Sequence, residues 1–464
     1  MVAVVSARPA ERRLYQIWGG HAAFSWLARL LASVAVMSEV VKLDPAARRG
    51  GSRRKKRSKT ALVLGGGGFT GAVYEIGALR AFDLLAVNRT VNEFDVYVGT
   101  SAGSFVGSAV ANGVTPEEMM RVLNKNLPSP LRDMDLGMLL QPNYKGFATS
   151  AALLPLRLLG VAGQLAKTIG EASVMDVAQG LAASLPKGLY RGAGIEDYVS
   201  EMLADPDRTD DFRMLDRELY LTATDLDTTD RIVLGEGEWA DVPISRAVAA
   251  STALPLVYEP IDVKGHEMID GGIRSTTNVD IAVEKGAKFI VVVNPIVPFV
   301  NDFTKRVPTI TGSRVRRVSD MGFVAIANQA IRMIAHDRLH RAVERWEVEY
   351  PGVDILLIEP EFDDELMFGT SIMDYSARLQ IAKHGFESVT LRLARDYERY
   401  KQMAERHGID ISARRIKHVL DQVQRERDTA PAWRRVFEQT TAALLRQQPA
   451  NGGAKAEAES ADAS

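Results

Sequence analysis

The chain has 464 residues, 46% of them hydrophobic and 25% charged, and a formal net charge of −2. That length suits roughly two or three compact units with sizeable cores. The absence of cysteine excludes disulfides, thiolate metal sites and cysteine nucleophiles and fits a reducing, cytoplasmic setting.

The first stretch of the chain is basic. Residues 1–59 hold 13 Lys and Arg against 3 Asp and Glu, a balance of +10, so the remainder carries −12. A basic arm on an acidic body suits an anionic partner, either a membrane surface or a nucleic acid. Within the arm, Ala22 to Val41 is largely apolar but contains Arg29, and a central Arg costs about 2.5–3.5 kcal/mol on insertion. The segment therefore fits a membrane span poorly, and it lacks the short apolar core and cleavage site of a secretory signal. Followed by Arg53, Arg54, Lys55, Lys56, Arg57 and Lys59, it has the composition of a reversible interfacial anchor. Peripheral membrane contact is the expectation, with a plain solvated arm as the alternative. No nucleic-acid motif or aromatic platform accompanies the cluster, and no nucleic-acid partner is expected.

Residues 44–58 read as a linker, after which Thr60 to Leu64 is an apolar run of strand length ending in Gly65-Gly-Gly-Gly68. From Gly71 the apolar residues Val73, Ile76, Leu79 and Leu84 follow a helical period. Phe94 to Val98 is a second strand, ending at Gly99-Thr-Ser-Ala-Gly103, and another apolar helical stretch opens at Ser104. Strand, glycine turn and helix, twice in succession, indicate an α/β fold with parallel strands. Residues 127–192 are leucine-rich and broken by Pro142 and Pro155; they read either as ordinary core helices or as an apolar cap over a site. Further strands are expected at Leu219–Ala223, Arg231–Leu234, Phe289–Val293 and Asp354–Ile358, with helices over roughly 320–350 and 371–445. From residue 447 the Ala, Gly, Glu and Ser composition predicts a disordered tail.

Two signals carry chemistry. Gly99-Thr-Ser101-Ala-Gly103 is a G-x-S-x-G placed between a strand and a helix, where a sharp turn projects the serine hydroxyl clear of the sheet and the helix aims free N–H groups at the same point. The loop Gly65 to Gly68 exposes consecutive amides that suit an oxyanion or a phosphate. Gly66-x-Gly68-x-x-Gly71 also satisfies a dinucleotide fingerprint, weakly. None of the seven histidines stands where a triad base is expected. The nearest, His266, reads as an exposed turn residue. Asp270, closing a short apolar segment and followed by Gly271 and Gly272, suits a carboxylate that must approach another loop and take the serine proton directly. An Asp-Gly-Gly turn is equally a structural device. His336 and His340 are spaced i,i+4 but have no evident third ligand, so no metal site and no cofactor are expected. Asp225 and Asp227 read as turn-shaping residues.

Taken together, the glycine loop, the G-x-S-x-G about thirty residues later, the block Ala249-Ala-Ser-Thr-Ala-Leu-Pro255 and the distant Asp270-Gly-Gly resemble the patatin-like phospholipases in order and spacing. The resemblance covers roughly residues 60–300. It implies a three-layer α/β/α fold with a central, mostly parallel sheet, extended here by a mostly helical region over 301–446. It also implies lipid ester substrates, no metal, Ser101 as nucleophile, Asp270 as base, and Gly66, Gly67 and Gly68 as oxyanion donors. One position departs from the pattern: Thr70 stands where the family often carries Arg or Lys. The rival readings are a nucleotide-binding enzyme built on the glycine loop and a membrane-associated scaffold whose site has lapsed.

Overall fold

The computed structural model describes residues 2–3, 57–124, 131–132, 136–167, 185–301, 307–308, 314–315, 317–370 and 375–428. Most of the basic arm, the centre of the leucine-rich segment (168–184) and the tail expected from 447 lie outside the described residues. The chain divides into two compact units, residues 1–412 and 413–464. In the second unit Ala413–Asp428 is a helix.

The first unit is built on β1 (Thr60–Leu64), α1 (Gly68–Leu85), β2 (Val96–Thr100), α2 (Ala102–Ala111), β3 (Glu218–Asp225), β4 (Arg231–Leu234), α3 (Ile244–Ser251), β5 (Ile261–Val263), β6 (His266–Asp270), β7 (Phe289–Val293), α4 (Phe323–Glu349), β8 (Asp354–Ile358) and α5 (Arg378–Arg395). Its nine-stranded sheet runs Val2–Ala3, β8, β7, β1, β2, β3, β6, β5, with β4 paired to β3. From β8 through β3 every pairing is parallel, whereas β4 and β6 lie antiparallel to β3. The architecture is thus α/β with a central, mostly parallel sheet and a helical C-terminal region.

The physical reason is visible in the strand sequences. All five residues of β1, β2, β7 and β8 are buried, as continuous apolar runs require when helices cover both faces of a parallel sheet. On one face Ala61, Val63, Val96, Val98, Ile290, Val292, Ile355 and Leu357 pack with Leu339, Val343 and Trp346 of α4. Each Val, Leu or Ile among them contributes about 1.5–3 kcal/mol on burial. Across the other face α1 and α5 meet at two glycines: a Cβ on Gly77 would strike Ala382 O, and one on Gly385 would strike Tyr74 O. Only glycine permits backbones to approach so closely.

The β5–β6 hairpin was not expected as strands, because two short segments joined by Lys264-Gly265 and opening on His266-Glu267 lack a long alternating pattern. Gln141–Pro142, Gly188–Arg191 and Leu256–Tyr258 form a separate three-stranded sheet. Within the leucine-rich segment a helix spans Tyr144–Lys167 with Pro155 inside it, and Tyr144, Phe147, Leu153 and Leu156 are exposed. Among the described residues no helix is long and apolar enough to cross a membrane.

Candidate active site

Strand register brings the two ends of the site together. Thr100, the last residue of β2, pairs with Thr222 of β3, and the next residue of β3, Ala223, pairs with Asp270 at the end of β6. Ser101 therefore faces Asp270 across one intervening strand, about 9–10 Å between backbones, and the intervening side chain is only a methyl. The gap closes through the side chains: Ser101 Oγ donates to Asp270 Oδ2 at 2.5 Å. Both residues are buried.

Ser101 sits at φ 54°, ψ −120°, a conformation that costs a non-glycine residue about 1–3 kcal/mol. The surrounding structure holds it there. Its N–H donates to Ser251 Oγ at 2.9 Å, and that hydroxyl donates to Thr222 O at 2.7 Å. Behind it, Gly103 N–H donates to Gly65 O at 3.0 Å, and a Cβ on Gly103 would collide with Leu64 O. On the other side, Asp270 N–H donates to Ala253 O at 3.0 Å, and Asp270 Oδ1 accepts from Gly272 N–H at 2.7 Å. The segment 249–255 thus fixes serine through Ser251 and aspartate through Ala253. Its sequence marked it as part of a pattern, but the bracing role of Ser251 was not legible there.

Burial pushes the Asp270 carboxyl up to about 6, against the opposing pull of the hydrogen bonds from Ser101 and Gly272. A carboxylate in that range still ionises near neutrality, yet binds a proton far better than an exposed one.

The glycine loop lies against the serine: a Cβ on Gly66 would stand 3.4 Å from Ser101 Cβ and 4.0 Å from Oγ. One expectation needs correction. Gly66 N–H is not available to an oxyanion, because it donates to Thr276 O at 3.2 Å; Gly65 N–H likewise donates to Val293 O at 2.9 Å. Among the described residues the N–H groups of Gly67 and Gly68 have no acceptor. These are the orphan donors at the N-terminus of α1. Pro295 and Gly71 confine Gly67, where an added Cβ would lie 2.7 Å from Pro295 Cγ and 2.8 Å from Gly71 Cα. Thr70 is buried and turns its hydroxyl back to Gly67 O at 3.4 Å.

Residues 62–283 fit the family model described as patatin-like phospholipase. This segment is a patatin-like phospholipase domain. The glycine loop lies within the span that fits this family model. Over 221 residues the chain is 26% identical to the uncharacterized protein YqhO of Bacillus subtilis (strain 168), taking in 44% of this chain and 63% of YqhO. The chain thus spans less than two thirds of that relative's length. Among solved structures, VipD from Legionella pneumophila is 14% identical with a TM-score of 0.31, over 86% of this chain and 82% of VipD. The type III effector ExoU of Pseudomonas aeruginosa is 14% identical with a TM-score of 0.30, over 86% and 67%. Human GIVD cytosolic phospholipase A2, in complex with methyl γ-linolenyl fluorophosphonate, is 10% identical with a TM-score of 0.25, over 80% and 64%.

The remaining candidates lie away from Ser101 and Asp270. His266 opens β6 and so lies a full strand, about 13 Å, from Asp270. Its Nδ1 stands 2.7 Å from Asp225 Oδ2, so it is anchored at the start of a strand rather than free in a turn. Asp225 also shapes the β3–β4 turn, its Oδ1 accepting from the N–H groups of Asp227 and Thr228 at 2.9 Å each. A buried carboxyl missed by sequence reading is Glu75 of α1. Burial raises it well above the ordinary range, and the nearby Gly65 N–H that opposes this is already donating to Val293 O. His336 and His340, expected to lack a third ligand, have Glu359 beside them.

Proposed function

We propose that the protein is a serine acyl hydrolase acting on lipid carboxylic esters through Ser101 and Asp270, without a histidine. The observation that carries the reading is the 2.5 Å hydrogen bond from Ser101 Oγ to a buried Asp270, inside a patatin-like phospholipase domain. Asp270 accepts the hydroxyl proton as Ser101 Oγ bonds to the ester carbonyl carbon. The oxygen that becomes negative takes the N–H groups of Gly67 and Gly68, and each such donor supplies about 2.7–4 kcal/mol of transition-state stabilisation. As the tetrahedral intermediate collapses, the C–O bond to the alcohol breaks and Asp270 returns its proton to the departing oxygen. Water then attacks the acyl-serine, giving one proton to Asp270, which passes it back to Ser101 as the fatty acid leaves.

The substrate reading extends to the surface. The exposed Tyr144, Phe147, Leu153 and Leu156 supply an apolar contact for acyl chains or a bilayer, and the basic arm supplies attraction to anionic lipid. Thr70, turned inward, places no cation on the glycine loop, which favours neutral lipids or lysolipids over anionic phospholipids. Ser101→Ala, which removes the attacking oxygen without adding bulk, should lower turnover of mixed-lipid vesicles by about a thousandfold or more with an unchanged circular dichroism spectrum. Retention of wild-type turnover in that variant rules the assignment out.

A further inference from the structure

The carboxyl edge of the sheet carries a second cluster of chemically capable side chains, away from Ser101. On α4, His336 and His340 lie one helical turn apart with ring centroids 3.9 Å from each other. Glu359 reaches them from the sheet. It is the first residue beyond β8, whose partner β7 runs in register to the pair Val293 and Ile358, so residues 294 and 359 emerge side by side. Asn294 N–H donates to Ile358 O at 2.9 Å, continuing the ladder. His340 Nε2 is 2.9 Å from Glu359 Oε2, while Glu359 Oε1 accepts from Asn294 Nδ2 at 2.8 Å. One atom from each of His336, His340 and Glu359 falls within 4.8 Å of the others.

We propose that His336, His340 and Glu359 bind one divalent transition-metal ion of the zinc class. Four features of the cluster carry this. Two imidazoles and one carboxylate are a ligand set that zinc takes with a position left for water, and imidazole nitrogen selects against magnesium and calcium. The spacing suits the ion: ligand atoms about 2.1 Å from a tetrahedral centre are about 3.4 Å apart, so His340 and Glu359 need separate only slightly. His336 Nδ1 is buried without a hydrogen-bond partner among the described residues, and an imidazole nitrogen left so in the interior is costly unless it finds one. Finally, Asn294 holds the carboxylate oxygen that does not face His340, the outer support that metal-binding carboxylates characteristically have. Phe362 packs edge-on against His336 at 5.0 Å and shields that side.

The place of the cluster defines its role. Glu359 and Ser101 follow strands β8 and β2, three inter-strand steps or about 14–15 Å apart, so the ion does not reach the serine hydroxyl. It ties α4 to the ends of β7 and β8 instead. The next residue after Asn294 is Pro295, which confines Gly67, and Val293 O holds Gly65. A bound ion therefore braces the wall behind the glycine loop, and the proposal stands whether or not Ser101 proves to be a nucleophile.

The test uses full-length protein without a polyhistidine tag, stripped with chelator. Zn(II) is titrated calorimetrically, and Co(II) is followed by its visible ligand-field bands. One equivalent of Zn(II) should bind and raise the melting temperature, and Co(II) should give the intense absorption of a four-coordinate site. His336→Ala and Glu359→Gln should each weaken binding about 100-fold or more, and Asn294→Ala about 10–100-fold. Metal-free melting curves and circular dichroism establish that each variant is folded. Should a variant fail to fold, the wild-type cobalt spectrum and His340→Gln decide. Wild-type affinity equal to that of the folded His336→Ala or Glu359→Gln variant overturns the proposal, as does a wild type that shows no tetrahedral cobalt bands.

Discussion

Asp270 carries opposing demands. Burial raises its carboxyl from 3.8 to about 6, and the two hydrogen bonds it accepts only partly offset this. Because the folded value is the higher one, folding favours the protonated form. The resulting stabilisation is complete below about 3.8 and is lost as pH rises through about 6. At neutral pH the ionised group costs stability on the order of 3 kcal/mol. Asp270→Asn keeps the shape, lets Gly272 N–H donate to the amide oxygen and removes the charge. It should therefore raise the thermal midpoint at pH 7, with little change at pH 4, while reducing ester turnover by about a thousandfold or more. For the wild type, turnover should rise with pH to a plateau with its half-point near 6, since only the ionised carboxylate accepts the serine proton. Calorimetry across pH and a kcat/KM profile read the two effects separately; a melting temperature lowered at pH 7 in a folded Asp270→Asn would contradict the first. Ser101, Asp270 and the glycines stood out in the sequence because a sharp turn between strand and helix requires small residues at fixed offsets. The occupation of Gly66 N–H by Thr276 O was not, since it depends on a loop more than two hundred residues downstream.

At the level of elements, the site is a consequence of register. A one-residue slip of β6 against β3 would turn Asp270 to the other face of the sheet, and the segment 249–255 guards against it by holding Asp270 N–H on Ala253 O. The same segment supports the strained Ser101 through Ser251. Ser251→Ala leaves a buried N–H without its acceptor, which costs about 1–3 kcal/mol, and frees the serine turn to relax. Denaturant titration should show that loss, and turnover should fall with it; turnover unaltered in a destabilised variant would separate stability from serine positioning. The long apolar strands β1, β7 and β8 were readable in advance, because burial on both faces leaves continuous runs such as Phe289-Ile-Val-Val-Val293. The hairpin that delivers Asp270 was hidden. Its strands are short, and His266 and Glu267 interrupt the apolar pattern at the end that faces solvent. The cluster of His336, His340 and Glu359 was hidden for a related reason: its third member comes from a strand end, and no helical spacing connects it to the first two.

Across the whole first unit, the parallel strands deliver their chemistry to one edge. The glycine loop, Ser101, Asn294 and Glu359 all follow the carboxyl ends of β1, β2, β7 and β8, the usual ligand-binding edge of such sheets. The patatin-like domain at 62–283 stops short of β7 and β8, yet both pair into the same sheet, so residues beyond 283 complete the sheet that carries the glycine loop. Ser101 and Asp270 stand 169 positions apart in sequence, and their meeting exists only in the folded chain. Reaction of the native protein with an alkyl fluorophosphonate, followed by peptide mapping, tests that meeting most directly. The adduct should sit on Ser101 alone, and it should fail to form on denatured protein or on Asp270→Asn. An unlabelled native protein, or a label carried by another serine, would contradict the account.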